Sequence, residues 1–318
     1  MSDLLLKLGL AVLLPQKELM TLIFSAPYRY KVYQIPKRAP GQFRTIAQPA
    51  REVKALQYWV MKHVLNDFEV HPVATAYRRK VSIAHNARPH ASSRFLLKMD
   101  FKDFFPSLRA HDLRVFLKRR KSTLDVDEIG ALCSILFWVP KTQSPPDLCL
   151  SIGAPSSPML SNILMFDFDR RISAICEARH VTYTRYADDL SFSSNRSDDL
   201  AVVERTVLEV CQKLKSPSLV VNQAKTVRVT RRDSRRVTGL VLTNDRKVSL
   251  GRDTKRRIRA WMHHFVTGRL EADEILKLRG MLAYINSVES SFLRRLRKKY
   301  GAEAIARCLQ WTGNDSGG

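Results

Sequence analysis

Residues 181–194, VTYTRYADDLSFSS, decide how this chain of 318 residues is read. Polar and apolar residues alternate on both sides of Ala187-Asp188-Asp189, the pattern of two strands joined by a tight acidic turn. A third acid, Asp100, closes the short apolar run RFLLKMD at 94–100. Carboxylates gathered at strand ends disfavour one another's ionisation, and a divalent cation relieves that cost. Mg²⁺ typically takes one or two carboxylates together with substrate phosphates. Two such ions, about 4 Å apart, activate an attacking hydroxyl and stabilise the leaving oxygen. The competing reading is that Asp-Asp only initiates a turn. Asp198-Asp199, which lacks strand context, reads as a helix N-cap.

Working outward, YRYKVYQIPKRAPGQFRTIAQP at 28–49 alternates basic and apolar residues around Pro40-Gly41 and predicts a β-hairpin. Val53, Leu56, Trp59, Val60, Val64 and Leu65 then share one helical face. A helical segment follows Ser107, and VPKTQSPPD at 139–147 reads as a Pro-rich loop. Pro155 and Pro158 open a helix that buries Leu160, Ile163, Leu164, Phe168, Ile172 and Ile175. After a helix beyond Asp199 come two short strands, LVVN and TVRV, then the hairpin RRVTGLVLT, and the pattern is helical from Asp253 onward. Helices alternating with a mostly antiparallel sheet place the chain in the α+β class.

Composition bounds the function. Lys and Arg number 54 against 30 Asp and Glu, a net charge of +24, and 45% of residues are hydrophobic. A folded chain this basic expects a polyanionic partner, nucleic acid first among them. The surplus is local: 225–260 carries 13 Lys or Arg against three Asp, and RRLRKKY at 294–300 adds a second cluster. No run approaches the roughly 20 apolar residues that span a bilayer, and the N-terminal apolar stretch, Leu4 to Leu14, reads as a short amphipathic helix. Five scattered cysteines without a C-x-x-C pair indicate reduced thiols and a cytoplasmic protein. His263-His264 has no partner at zinc spacing.

In order and spacing, FLLKMDFKDFFPS, SIGAPSSP and TRYADDL resemble motifs A, B and C of reverse transcriptases. FRTIAQP in a fingers hairpin, VVNQAKT (motif D) and VTGL (motif E, the primer grip) extend the likeness. NARPH and VTG resemble the paired boxes of retron reverse transcriptases, so the likeness covers roughly 28–290. It implies a right-hand polymerase fold with fingers, a ferredoxin-like antiparallel palm and a helical thumb. The expected boundaries are 1–92 for the N-terminal helix and fingers, 93–243 for the palm with a fingers insertion around 118–150, and 244–318 for the basic thumb.

The resemblance also implies roles. Asp100, Asp188 and Asp189 would be catalytic and, with Phe101 beside them, would hold two Mg²⁺ ions. Lys37 and Arg44 would bind the triphosphate of a deoxynucleotide, and Phe105 would exclude a ribose 2′-OH, although a Phe-Phe pair is also an ordinary core aromatic. Gly153 would let template and substrate approach, and Lys225 would protonate the leaving pyrophosphate. Ile152 stands where many members carry Gln. Asn86, His90, Val237, Thr238, Gly239, Lys255, Arg256 and Arg257 would meet RNA or primer. The implied activity is copying of a cognate structured non-coding RNA into single-stranded DNA from an RNA 2′-OH, giving a branched hybrid that serves antiphage defence. An effector protein and a host RNase H are the implied partners, with no membrane. Two other readings fit parts of the pattern: a group II intron-like or diversity-generating enzyme, and a non-catalytic RNA-binding scaffold.

Overall fold

A computed structural model describes residues 2–37, 40–120, 122–140 and 147–312. Within them the strands are β1 (Tyr30–Pro36), β2 (Phe43–Pro49), β3 (Phe95–Asp100), β4 (Thr182–Tyr186), β5 (Asp189–Ser194), β6 (Val227–Thr230), β7 (Arg236–Val237), β8 (Leu240–Leu242) and β9 (Val248–Ser249). β1 and β2 form the expected antiparallel hairpin, with Ile35 opposite Arg44. The central sheet runs β4-β5-β3-β6. Counted from β3 this is the order 2-3-1-4, which is that of a ferredoxin-like palm. β7, β8 and β9 make a separate antiparallel sheet.

The chain divides into two compact units. The first comprises the described residues of Met1–Tyr77, Lys98–Leu190 and Ala201–Val227. Within it Leu160, Ile163, Phe168 and Ile172 are buried as their spacing predicts, and Ile175 is half-buried. The second comprises Arg78–Leu97, Ser191–Leu200 and the described part of Arg228–Gly318. Its core joins Ala84, Ala87 and Leu96 to Val237 and Leu240 and to the helices Arg252–Val266, Ala272–Val288 and Ser290–Tyr300. Trp261 and Tyr284 pack against this core.

Three expectations need correction. The helix opened by Pro155 and Pro158 is two helices, Ser157–Leu164 and Phe166–Ala178, meeting at Met165. Every residue from Leu160 to Phe166 is buried, so the apolar spacing carried no phase that could mark the break. LVVN is not a strand: Val221 makes one isolated bridge, to Phe101. Asp198-Asp199 does not cap its helix but lies in the first turn of Ser197–Lys213, where negative charge favours the helix dipole. The Pro-rich loop lies mostly outside the described residues, as does the polar tail. All five cysteines are buried and free. No single helix among the described residues is long and apolar enough to cross a membrane.

Candidate active site

The acidic turn and the end of β3 meet in the first unit. The Phe101 N–H donates to the Asp188 carbonyl at 3.1 Å, which sets Asp100 beside the turn. On the other side the Asn222 N–H donates to the Asp100 carbonyl at 2.7 Å, and the Lys102 N–H donates to the Val220 carbonyl at 2.8 Å. The acids therefore lie at the end of β3 and at the turn into β5, strands adjacent in the sheet, with residues 220–222 bonded on the other side of Asp100. Ala187 turns the chain with φ 57°, a left-handed conformation unusual for alanine.

Crowding is visible in the electrostatics. Burial, and then the neighbouring Asp100 charge, raise the Asp188 carboxyl above its ordinary value. Burial and then Asp188 do the same for Asp189. Lys225 answers with a 2.8 Å ion pair from Nζ to Asp100 Oδ1. That hydrogen bond raises the Lys225 pKa and keeps its ammonium charged. Among the described residues no three His, Cys, Asp or Glu side chains form a closed metal cage. A cage is not what Mg²⁺ requires, because one or two carboxylates and substrate phosphates suffice. Hard oxygen donors whose burial and mutual repulsion oppose ionisation fit a divalent cation.

Aromatic rings line the same neighbourhood. Phe101 stacks on Phe104 at 5.8 Å, and both are buried. Phe105 is half-buried, on the short helix Phe104–Ser107 rather than on a strand. Tyr77 stands 6.4 Å from the Phe105 ring and 6.5 Å from Tyr186. Its backbone is left-handed at φ 62°, and burial followed by the Asp188 charge raises its hydroxyl pKa. Arg44 acts electrostatically on both Asp188 and Tyr77. Lys37 is exposed at the hairpin turn.

Gly153 is held against β2. The Ala47 N–H donates to the Ile152 carbonyl at 2.9 Å, and a Cβ on Gly153 would lie 3.0 Å from the Ala47 oxygen and from Ile46 Cγ2. With φ at 125°, the position suits glycine alone. Ile152 thus meets β2 through its backbone, whatever its side chain lacks.

The second unit brings together NARPH and VTG. Thr238 and Gly239 both have positive φ and turn β7 into β8. The Thr238 hydroxyl donates to the Ile83 carbonyl at 3.3 Å, beside the helix Ile83–Ala87 that carries Asn86. Asn86, His90 and Val237 are buried, and His90 Nδ1 lies 2.8 Å from Ser193 Oγ. Burial pushes the His90 pKa down to about 3. Along the helix Arg252–Val266 the three cations part ways. Lys255 turns inward, 17% exposed, with Nζ 2.6 Å from Glu289 Oε1. Arg256 is 80% exposed, and Arg257 is exposed over the Trp261 ring at 5.3 Å.

Sequence reasoning passed over Tyr77, Asn162, Asp169 and Arg185. The last two left a signal, a charge on the inward-facing side of a strand or helix otherwise rich in apolar residues.

Comparison with known proteins gives one consistent result. The profile described as "Reverse transcriptase (RNA-dependent DNA polymerase)" matches residues 35–242. The chain is 39% identical to the Retron Ec83 reverse transcriptase of Escherichia coli, over 87% of this chain and 88% of that protein. It is 35% identical to the Retron Ec86 reverse transcriptase of the same organism, over 89% and 86%. Among solved structures, telomerase from Candida albicans aligns at 15% identity with a TM-score of 0.47, covering 89% of this chain and 61% of that one.

Proposed function

The chain belongs to the retron reverse transcriptases and is an RNA-directed DNA polymerase, and from that premise we propose that it copies a cognate structured non-coding RNA into single-stranded DNA, starting from an RNA 2′-OH. The product is then a branched RNA–DNA hybrid. The observation that carries the proposal is the Phe101–Asp188 backbone bond, which brings Asp100 beside the Asp188-Asp189 pair from a distant part of the sequence.

Asp100, Asp188 and Asp189, with the Phe101 backbone, would hold two Mg²⁺ ions in this reading. When bound, the ions supply charge that activates the attacking hydroxyl and stabilises the leaving oxygen. The hydroxyl oxygen bonds to the α-phosphorus of a deoxynucleoside triphosphate. The bond from that phosphorus to the bridging oxygen breaks, pyrophosphate departs, and the hydroxyl proton passes to solvent. Arg44 and Lys37 bind the triphosphate, and Arg44 is supported by its influence on Asp188. Phe105, walled by Tyr77, excludes a 2′-OH on the incoming sugar. Gly153 keeps the space before β2 clear, and Lys225 leaves Asp100 to protonate pyrophosphate.

Asn86, His90 and Val237-Thr238-Gly239 form a scaffold that presents the hairpin turn to RNA and primer. Arg256 and Arg257 track phosphates, while Lys255 supports their helix from within. Residues 1–92 serve as fingers, 93–243 as palm and 244–318 as thumb. The protein works in the cytoplasm in antiphage defence, with an effector protein bound to the hybrid and a host RNase H trimming its RNA.

Asp188→Ala and Asp189→Ala test the site. Both variants are expected to lose DNA synthesis in a primer-extension assay while still co-purifying with RNA. Synthesis at the wild-type rate by either variant would overturn the assignment.

A further inference from the structure

Behind the acidic turn lies a fully enclosed ion pair that no step above uses. Arg185 on β4 and Asp169 on the helix Phe166–Ala178 both have 0% side-chain exposure. Arg185 Nε donates to Asp169 Oδ1 at 2.9 Å, and Nη2 donates to Oδ2 at 2.6 Å. The Tyr183 hydroxyl donates to the same Oδ1 at 2.8 Å. The remaining arm, Nη1, donates to the Ala187 carbonyl and to Asn162 Oδ1, each at 3.1 Å. Asn162 Nδ2 in turn donates to the Ala76 carbonyl at 2.9 Å. The Arg185 main chain is fixed as well: its N–H donates to Val73, and its carbonyl accepts from the Thr75 N–H and hydroxyl.

A buried ion pair adds little stability over apolar residues of the same volume. What a guanidinium adds is direction, because its planar fork sets several acceptors at fixed angles where an ammonium cannot. Here one end of the fork is anchored on Asp169 and the other reaches Ala187, the left-handed residue immediately before Asp188. A charge-assisted bond to that carbonyl offsets the cost of the left-handed turn.

We propose that Arg185 is a positioning residue for the reaction: braced by Asp169 and Asn162, it fixes the Ala187 turn so that Asp188 and Asp189 are aimed before cation and nucleotide arrive. The Asn162–Ala76 bond extends the same brace toward Tyr77, which stands beside Phe105. The inference rests on the assignment of Asp188 as a cation ligand.

The test is Mn²⁺ binding to the full chain, followed by electron paramagnetic resonance, with melting temperature and primer-extension kinetics measured beside it. Groups that orient metal ligands typically control affinity strongly, so Arg185→Lys is expected to weaken Mn²⁺ binding about tenfold and to lower kcat more than it changes the nucleotide KM. Asn162→Ala, which leaves the Arg185–Asp169 pair intact, is expected to weaken binding about threefold. Tyr183→Phe touches Asp169 but not the turn, and should bind Mn²⁺ as wild type does. Wild-type affinity in Arg185→Lys overturns the inference, as does a loss that merely tracks melting temperature across all three variants. If Arg185→Lys does not fold, Asn162→Ala decides, and unchanged Mn²⁺ affinity there overturns the inference. Asp188→Ala separates the premise: wild-type Mn²⁺ binding by that variant refutes the ligand assignment itself.

Discussion

His90 shows what a single side chain contributes. It is fully enclosed, bonded to Ser193, and its pKa lies near 3 instead of the usual 6.5. The folded protein therefore keeps it neutral at pH values where the unfolded chain takes up a proton. Stability is fully present above pH 6.5 and is lost as pH falls from there toward 3. The loss from this residue is about 2 kcal/mol by pH 5. Urea midpoints at pH 7.5 and pH 5 should thus move further apart in the wild type than in His90→Gln, and equal shifts would contradict the account. The sequence placed His90 in a box by resemblance alone, since burial of a histidine leaves no local mark. Asp100, Asp188 and Asp189 were legible because strand-end acids with apolar flanks stand out. Arg185 and Asp169 left only the phase signal of a charge on an inward face, and their pairing is made only when the fold brings the two together.

At the scale of elements, the hairpin β1–β2, the strand β3 and the pair β4–β5 follow from alternation and turn residues. Where alternation misled, contacts explain it. Val220 and Val221 look like a strand, yet Val220 is 59% exposed and only Val221 bridges to Phe101. The segment spends its backbone groups on Asp100 and Lys102 instead of on a continuous ladder. The helix Arg252–Val266 shows the same limit, because a run of cations does not say which one faces inward. Glu289 settles it: one carboxylate takes Lys255, Arg295 and the Leu250 N–H. Lys255→Glu should lower the melting temperature by setting two half-buried carboxylates together. Arg256→Glu and Arg257→Glu should instead leave the melting temperature alone, weaken RNA binding, and each reduce the salt slope of binding by about 1. Filter binding across salt, with thermal melts, checks both; a Lys255→Glu variant that melts normally and binds RNA weakly would reverse the assignment.

For the whole molecule, the net charge of +24 is not spread evenly. Three of the acids gather where β3 meets the β4–β5 turn, while cations crowd the 225–260 stretch that includes the β7–β8 hairpin and the start of the helix Arg252–Val266. Family membership makes the chain a polymerase of DNA on RNA, and the proposed reading gives this distribution its use: an acidic centre for cations and triphosphate, with basic segments for the nucleic-acid backbone. The central claim is that synthesis starts on an RNA 2′-OH of a cognate RNA. Its most direct measurement is sequencing and debranching of the nucleic acid that co-purifies with the full chain from cells carrying its native locus. The account predicts a single-stranded DNA joined to one defined RNA by a 2′,5′ bond that debranching enzyme releases, absent from the Asp188→Ala variant. Unbranched cellular RNA, with no covalently attached DNA in the wild type, would contradict it.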